Sequence, residues 1–270
     1  MTVLTWNDVV SAAVPLFPQG TALSVGSFDG PHRGHCALFD AVFSVAEKES
    51  FVPGLVTFTK ALPGIKHPVS YAGDIATLSE RLNQYKNKGF DFVVLIDFDD
   101  SFARMSGEDF FTALKNNLSM RFIAEGQDFR CGYKGSYGMT EITDFIFKNG
   151  IQAQFLDLVQ ADGKRISSSE VRKQIQKGNF SLVNELLERR FLLEIPETSY
   201  LIEKKSFLVK RSLLRQVSPE TGIYKVLLND SVPAELTASS DKLMISVQEK
   251  NAQSDFTTAG HLKYVVFLGK

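Results

Sequence analysis

His32 and His35 stand three residues apart in GSFDGPHRGH (26–35), and on a helix that spacing puts both imidazoles on one face. Gly34 between them keeps the inner surface clear of side chains. Two imidazole N–H groups beside the mouth of a helix can donate hydrogen bonds to phosphate oxygens without forming a covalent bond. Such a site acts electrostatically, on charge that builds up during phosphoryl or nucleotidyl transfer. The residues ahead of the pair suit the same ligand. Gly26 and Gly30 can take backbone angles closed to other residues and let the chain approach a ligand closely. Asp29-Gly30 is a strong turn dipeptide, and Pro31 suits the first turn of a helix, whose opening amides carry a partial positive charge. Half a metal site is the poorer reading: only His67 and His261 remain in the chain, and no Cys-x-x-Cys supports them. Two surface histidines without a task are the bland alternative.

A second cluster lies in GKRISSSEVR (163–172). Ser167 with Glu170 three residues on fits a capping box, so the spacing predicts a helix start, and that structural role alone accounts for both residues. The functional reading adds the hydroxyls of Ser167, Ser168 and Ser169, with the guanidinium groups of Arg165 and Arg172 alongside. Arg172 can bridge two phosphate oxygens through its planar fork. The expectation is that the two helix mouths converge on one triphosphate.

The elements that must position these groups alternate. A buried strand over Ala22 to Val25 leads through the glycine turn into a helix from about His32 to Lys48, and Gly54 to Phe58 is a second strand. Thr59 to Tyr71, with Pro63, Gly64 and Pro68, reads as a loop over the strand ends. An amphipathic helix is predicted over Asp74 to Lys88, with Ile75, Leu78, Leu82 and Tyr85 on one face and a stop at Gly89. Phe92 to Ile96 is a strand of the kind buried on both faces. A helix at Gly107 to Leu118, a short strand at Arg121 to Ala124, and a glycine-rich loop from Gly126 to Gly138 follow. Thr140 to Lys148 reads as a helix and Ala153 to Leu158 as a strand. Residues 1–20 form a lead-in with a short helix around Trp6 to Ala13. This order calls for a parallel sheet with helices on both faces and the ligand at the carboxyl ends of its strands. After Ser167 a short helix pair runs to about Arg190. Beyond it Tyr200 to Ile202, Ser206 to Val209, Gly222 to Leu228, Lys242 to Val247 and Leu262 to Leu268 read as strands of a small β domain of barrel type. The expected organisation is an α/β domain over 1–190 and a β domain over 191–270.

Composition sets limits on partners. The chain has 270 residues, 44% hydrophobic and 23% charged, with a net charge of −1, so no broad basic surface for nucleic acid is expected. Cys36 and Cys131 are its two cysteines, which suggests a reducing compartment rather than a disulfide framework. The start, MTVLTWNDVV, lacks the pattern of a signal peptide, and no apolar run approaches the roughly 20 residues of a membrane span. A cytoplasmic protein without membrane contact is the expectation; oligomeric state is not legible.

With both clusters in hand, the chain resembles the bacterial bifunctional riboflavin kinase/FAD synthetase family, specifically its N-terminal FMN adenylyltransferase module. Residues 26–35 resemble the family's Gly-x-Phe-Asp-Gly-x-His-x-Gly-His, and FDDSFARMSGEDF (98–110) is similar to a helical stretch of it. Gly126-Gln127-Asp128-Phe129-Arg130 resembles Gly-x-Asp/Asn-Phe, and Arg165 to Arg172 resembles Arg-Ile-Ser-Ser-Thr-x-x-Arg. These four motifs cover residues 22–190. The resemblance implies a Rossmann-like nucleotidyltransferase fold and the transfer of AMP from ATP to FMN, giving FAD and pyrophosphate with Mg²⁺. By motif position it implies His32, His35 and Arg172 as catalytic. Gly26, Ser27, Phe28, Asp29, Gly30, Gly34, Arg165, Ile166, Ser167, Ser168 and Ser169 fall to ATP. Phe58, Gly126, Asp128, Phe129 and Gly132 fall to FMN, and no metal ligand is assigned.

The chain also departs from the family. After Phe58 the family's Glu-Pro-His-Pro is replaced by Thr-Lys-Ala-Leu-Pro; Cys131 stands where the family often has Phe, and Ser169 where it has Thr. Residues 191–222 contain nothing similar to the kinase motif Gly-x-Pro-Thr-Ala-Asn, and only Gly222-Ile223-Tyr224 is similar to the kinase's Gly-Val-Tyr. A degenerate kinase-like barrel without kinase activity is expected. Two other functions fit parts of the pattern: transfer to another phosphate-monoester acceptor, and flavin or nucleotide binding by a non-catalytic regulator.

Overall fold

A computed structural model describes residues 1–61, 71–157, 159–161, 164–203, 206–247 and 262–269. Pro63, Gly64, His67, Pro68, Leu158, Gly163 and His261 lie outside them. The chain forms two compact units, Met1–Val69 with Leu78–Arg165, and Ser70–Thr77 with Ile166–Lys270.

The first unit holds a six-stranded sheet of β1 (Thr2–Thr5), β2 (Thr21–Val25), β3 (Val52–Phe58), β4 (Phe92–Ile96), β5 (Met120–Gly126) and β6 (Gln152–Leu156). Its order is β1-β4-β3-β2-β5-β6 and every pairing is parallel. The helices are α1 (Trp6–Val10), α2 (Arg33–Glu49), α3 (Leu78–Lys88), α4 (Asp100–Arg104), α5 (Gly107–Asn117) and α6 (Met139–Asn149). Strand alternation feeds two cores. Leu23, Val25, Val56, Val94 and Ile123 pack on one face with Phe111 and Ile142, while Ala22, Leu55, Val93 and Ala124 pack on the other with Phe39 and Val42. That is the two-faced burial expected of a parallel sheet. Going out from β2, the chain winds one way through β3 and β4 and the other way through β5 and β6. The crevice between β2 and β5 is therefore the switch point of the sheet, where such folds take ligands.

Some elements differ from the sequence reading. The lead-in contains a strand, β1, which pairs along β4 and hands directly to α1; the Thr5–Asp8 capping box starts that helix. Its four residues are mostly exposed, so they carry no buried-strand pattern. Pro31 sits ahead of the N-cap His32 rather than inside the first turn of α2. The third helix begins at Leu78, not Asp74, because Asp74 bridges to Gln216 and the segment from Ser70 to Thr77 packs in the second unit.

A two-residue ribbon, β7 (Gln160–Ala161) with β8 (Lys164–Arg165), ends the first unit. The second unit carries α7 (Ser168–Gln176) and α8 (Phe180–Leu187), then β9 (Leu192–Glu194), β10 (Tyr200–Glu203), β11 (Ser206–Lys210), β12 (Gly222–Leu228), β13 (Val232–Ala238), β14 (Lys242–Val247) and β15 (Tyr264–Phe267). They form an antiparallel sheet in the order β10-β11-β14-β13-β12-β15-β9. β13 was not apparent from its sequence, VPAELTA: Pro233 and Glu235 disguise an alternation that buries Ala234, Leu236 and Ala238. Phe180 of α8 stacks on Phe267 of β15 at 4.0 Å and anchors the helix pair to the sheet.

Candidate active site

The turn after β2 is held in an unusual conformation from below. Gly26 has no room for a side chain, since a Cβ would lie 2.8 Å from the Phe28 ring, and Gly30 sits at φ 79°. Phe28 itself has φ 39°, a left-handed angle that costs a residue with a side chain about 1 kcal/mol or more. Packing offsets that strain. The Phe28 ring is buried, edge-on to His35 and to Phe39 with centroids 5.1 Å away in each case. The Tyr85 hydroxyl on α3 donates to the Phe28 carbonyl at 3.0 Å, and Thr57 donates to the Ser27 carbonyl at 3.1 Å. Burial pushes the Tyr85 hydroxyl up to about 12, so it stays a donor. Asp29, next in the turn, is buried.

His32 caps α2 with extended backbone, and its carbonyl accepts the amides of His35 at 2.7 Å and Cys36 at 3.0 Å. Gly34 is the second residue of the helix. The His32 and His35 rings stack, with centroids 3.8 Å apart and planes 16° from parallel. Burial, and then the charge of His32, hold His35 well below the usual imidazole value. Its Nδ1 is buried and meets no hydrogen-bond partner among the described residues. Two rings in van der Waals contact cannot both carry charge cheaply. His35 is thus a neutral imidazole, able to donate one N–H to an oxyanion.

Beside this turn, at the carboxyl ends of the strands, lies a cavity of about 500 Å³. Val25, Gly26 and Ser27 form one side of it, Phe58, Phe98, Phe102 and Phe129 supply aromatic walls, and the loop from Asp128 to Gly135 closes another side. Of the residues that the resemblance gives to FMN, Phe58, Asp128, Phe129 and Gly132 line the cavity, while Gly126 ends β5 next to them. Burial pushes the Cys131 thiol up to about 12, so it lines the wall as an unreactive group. Arg165 bridges Asp128 at 2.5 Å on a half-exposed surface, joining one residue expected at ATP with one expected at FMN. Among the described residues no three His, Cys, Asp or Glu side chains cluster as a metal would require.

The serine and arginine group belongs to the second unit. Ser167 caps α7 by accepting the Glu170 amide at 3.2 Å, Ser168 and Ser169 are the first two residues of that helix, and Ile166 is buried ahead of it. Arg172 is buried, donates through Nε to the Gly73 carbonyl at 2.9 Å and through Nη2 to the Tyr71 hydroxyl at 3.2 Å, and lies over the Tyr71 ring.

Residues 15–170 match the family model of FAD synthetase. The chain belongs to the FAD synthetase family. It is 31% identical over 220 residues to a bifunctional riboflavin kinase/FMN adenylyltransferase of Escherichia coli K12, a match covering 77% of this chain and 68% of the relative. A protein of the same description from Bacillus subtilis 168 is 26% identical over 178 residues, covering 64% and 55% respectively. In fold the chain is similar to a crystal structure of a macrolide-efflux protein from Streptococcus pneumoniae, with a TM-score of 0.80, 18% identity, and coverage of 100% of this chain and 91% of that one. At that identity the likeness speaks for fold alone. Among the described residues no helix is long and apolar enough to cross a membrane.

One residue at the switch point was not singled out from the sequence. Glu125, the next-to-last residue of β5, is buried and accepts the Val25 amide at 2.5 Å, in the crevice where β2 and β5 part. Burial pushes its carboxyl well above the usual range. The one signal available was an acidic residue after the apolar run Phe122-Ile123-Ala124 of β5.

Proposed function

We infer that this chain is an FMN adenylyltransferase. A phosphate oxygen of FMN attacks the α-phosphorus of ATP; a new P–O bond forms, the bond from the α-phosphorus to the bridging oxygen breaks, and pyrophosphate leaves with that electron pair. The observation that carries this reading is an aromatic-walled cavity opening beside a pinned phosphate turn. Its volume lies within the range of small-ligand sites, and Phe58, Phe98, Phe102 and Phe129 suit a planar tricyclic ring.

In this reading Gly26 to Gly30 and Gly34 meet the ATP phosphates, and His32 and His35 donate to the charge on the five-coordinate phosphorus. Phe58, Phe129, Gly126 and Gly132 face the flavin, and Asp128 stands at its phosphate end with Arg165 as its charge partner. Ser167, Ser168, Ser169 and Arg172 serve the leaving pyrophosphate, with Ile166 packed behind them. Magnesium comes with ATP, since Mg²⁺ in phosphoryl-transfer sites is held largely by substrate oxygens.

The finer proposal is that riboflavin kinase activity is missing, although the named relatives are bifunctional. Its support is the sequence of 191–222, which lacks any Gly-x-Pro-Thr-Ala-Asn. Incubating FMN and riboflavin separately with ATP and Mg²⁺, then separating products by chromatography, tests both parts. FAD from FMN with no FMN from riboflavin is the expected result. No FAD from FMN refutes the adenylyltransferase reading, and FMN from riboflavin refutes the finer one.

A further inference from the structure

Among the described residues Arg81 is the largest wholly enclosed side chain, with 1% of it exposed. It lies in α3, whose exposed residues are mostly polar. Its guanidinium donates to the carbonyls of Ser27 at 3.3 Å, Phe58 at 3.0 Å and Thr59 at 2.9 Å. Its Nε is buried and meets no hydrogen-bond partner among the described residues. A buried cation is expensive unless its setting repays the lost water. Here three main-chain carbonyls take up its N–H groups.

The three carbonyls belong to two different walls. Ser27 is in the turn beside the histidine pair, while Phe58 and Thr59 are the end of β3, where Phe58 forms part of the aromatic cavity. One planar fork spans both. Four residues along α3, Tyr85 takes the next carbonyl of the turn, at Phe28. Arg81 and Tyr85 thus present one helix face to the strained turn, and Arg81 alone reaches the flavin wall as well.

We propose that Arg81 is a positioning residue for nucleotidyl transfer: it fixes the phosphate turn and the end of β3 in one register, so that occupancy of either wall by substrate favours occupancy of the other. This rests on the reading of the site as FMN adenylyltransferase. Lysine cannot replace it, because an ammonium is a point charge without the fork that reaches several acceptors in one plane. Misplacing reacting groups by about 1 Å can cost on the order of a hundredfold in rate, so a small shift between the walls is enough to be read.

The test is binding coupling in the full chain. FMN affinity is measured by flavin fluorescence with and without saturating α,β-methylene-ATP, whose α–β bridge cannot be broken, and kcat is measured alongside. In the native protein the analogue tightens FMN binding about fivefold or more, within the usual range of coupling between sites. In Arg81→Lys that factor falls to within about twofold and kcat falls at least about tenfold, while the constant for FMN alone changes little. A merely structural role would instead lower all of these with the folded fraction, read by near-ultraviolet circular dichroism. Tyr85→Phe deletes one hydroxyl on the same helix face; it lowers the coupling and leaves the constant for FMN alone unchanged. Native coupling in Arg81→Lys overturns the proposal, as does a native protein without coupling. If Arg81→Lys does not fold, unchanged coupling in Tyr85→Phe overturns it. A protein that couples FMN to the analogue but forms no FAD would refute the adenylyltransferase reading and leave the role of Arg81 standing.

Discussion

The two helix mouths singled out by their sequences are built differently. At α7 in the second unit Ser167 supplies the cap, and Arg172 donates to Gly73 and Tyr71 in the same unit. α2 in the first unit has no side-chain cap from its N-cap residue, its two histidines stack on each other, and a strained turn is pinned beneath it from α3 and β3. The cap at α7 accounts by stability for Ser167 and Glu170 without calling on a ligand. A mouth that keeps a strained residue beside it is accounted for by the ATP site proposed above. The spelling of both motifs fits a phosphate site equally well, and only the surroundings separate them.

The largest effect expected from this contrast is on rate. Replacing His32 or His35 by alanine lowers kcat for FAD formation about a hundred- to a thousandfold, the scale of a lost donor to transition-state charge. Melting temperatures should move little by comparison. Steady-state kinetics with native turnover in either variant would put the α2 mouth on the same footing as α7. The neutral state of His35 adds a pH signature. Its folded value lies below 6.5, so the unfolded chain takes up a proton first as pH falls. Stability is therefore lost as pH drops below about 6.5, and NMR of the His35 ring should show no titration between about pH 6.5 and 8.

Glu125 comes next in size. Glu125→Ala leaves the buried Val25 amide unpaired and should cost about 1–3 kcal/mol in chemical denaturation. Glu125→Gln keeps a carbonyl acceptor in the same place and should be nearly neutral. The sign with pH follows from a carboxyl raised in the fold: it is protonated there while the unfolded chain ionises above about pH 4.5. Its favourable contribution is full below that value and is lost as pH rises through the folded one. Glu125→Gln should flatten this slope, and a slope equal to that of the native protein would show that the acid is not held neutral.

Much of this was legible in the residues because the signals are local. The strand at Phe92–Ile96 is marked by an unbroken apolar run, and the turn and helix after Val25 by glycine spacing and period. What was not legible depends on contacts distant in the chain. Residues 70–77 join the second unit through Asp74 with Gln216 and through Gln216 Nε2 to the Ile75 carbonyl, 141 residues apart. Arg81 is surrounded by Ser79, Glu80, Asn83 and Gln84, so in sequence it reads as one more surface charge. β13 was hidden by Pro233, which lies at its second position and leaves the inward alternation intact.

The smallest prediction is also the sharpest test of the contrast, because it concerns one hydroxyl with two possible duties. Ser167→Ala removes the acceptor for the Glu170 amide and should cost about 1 kcal/mol of stability, which for a chain of this size is a shift in melting temperature of about 2–4 °C. Ser167→Asp restores an acceptor and should recover that stability. If the hydroxyl only caps, KM for ATP stays native in both. If it also serves pyrophosphate, the two substitutions part company: alanine raises KM modestly, whereas aspartate sets a carboxylate against phosphate oxygens and raises it far more, while the helix is capped as before. Cap and ligand duties predict opposite rank orders for the same pair of variants, so melting curves and ATP kinetics measured together decide between them.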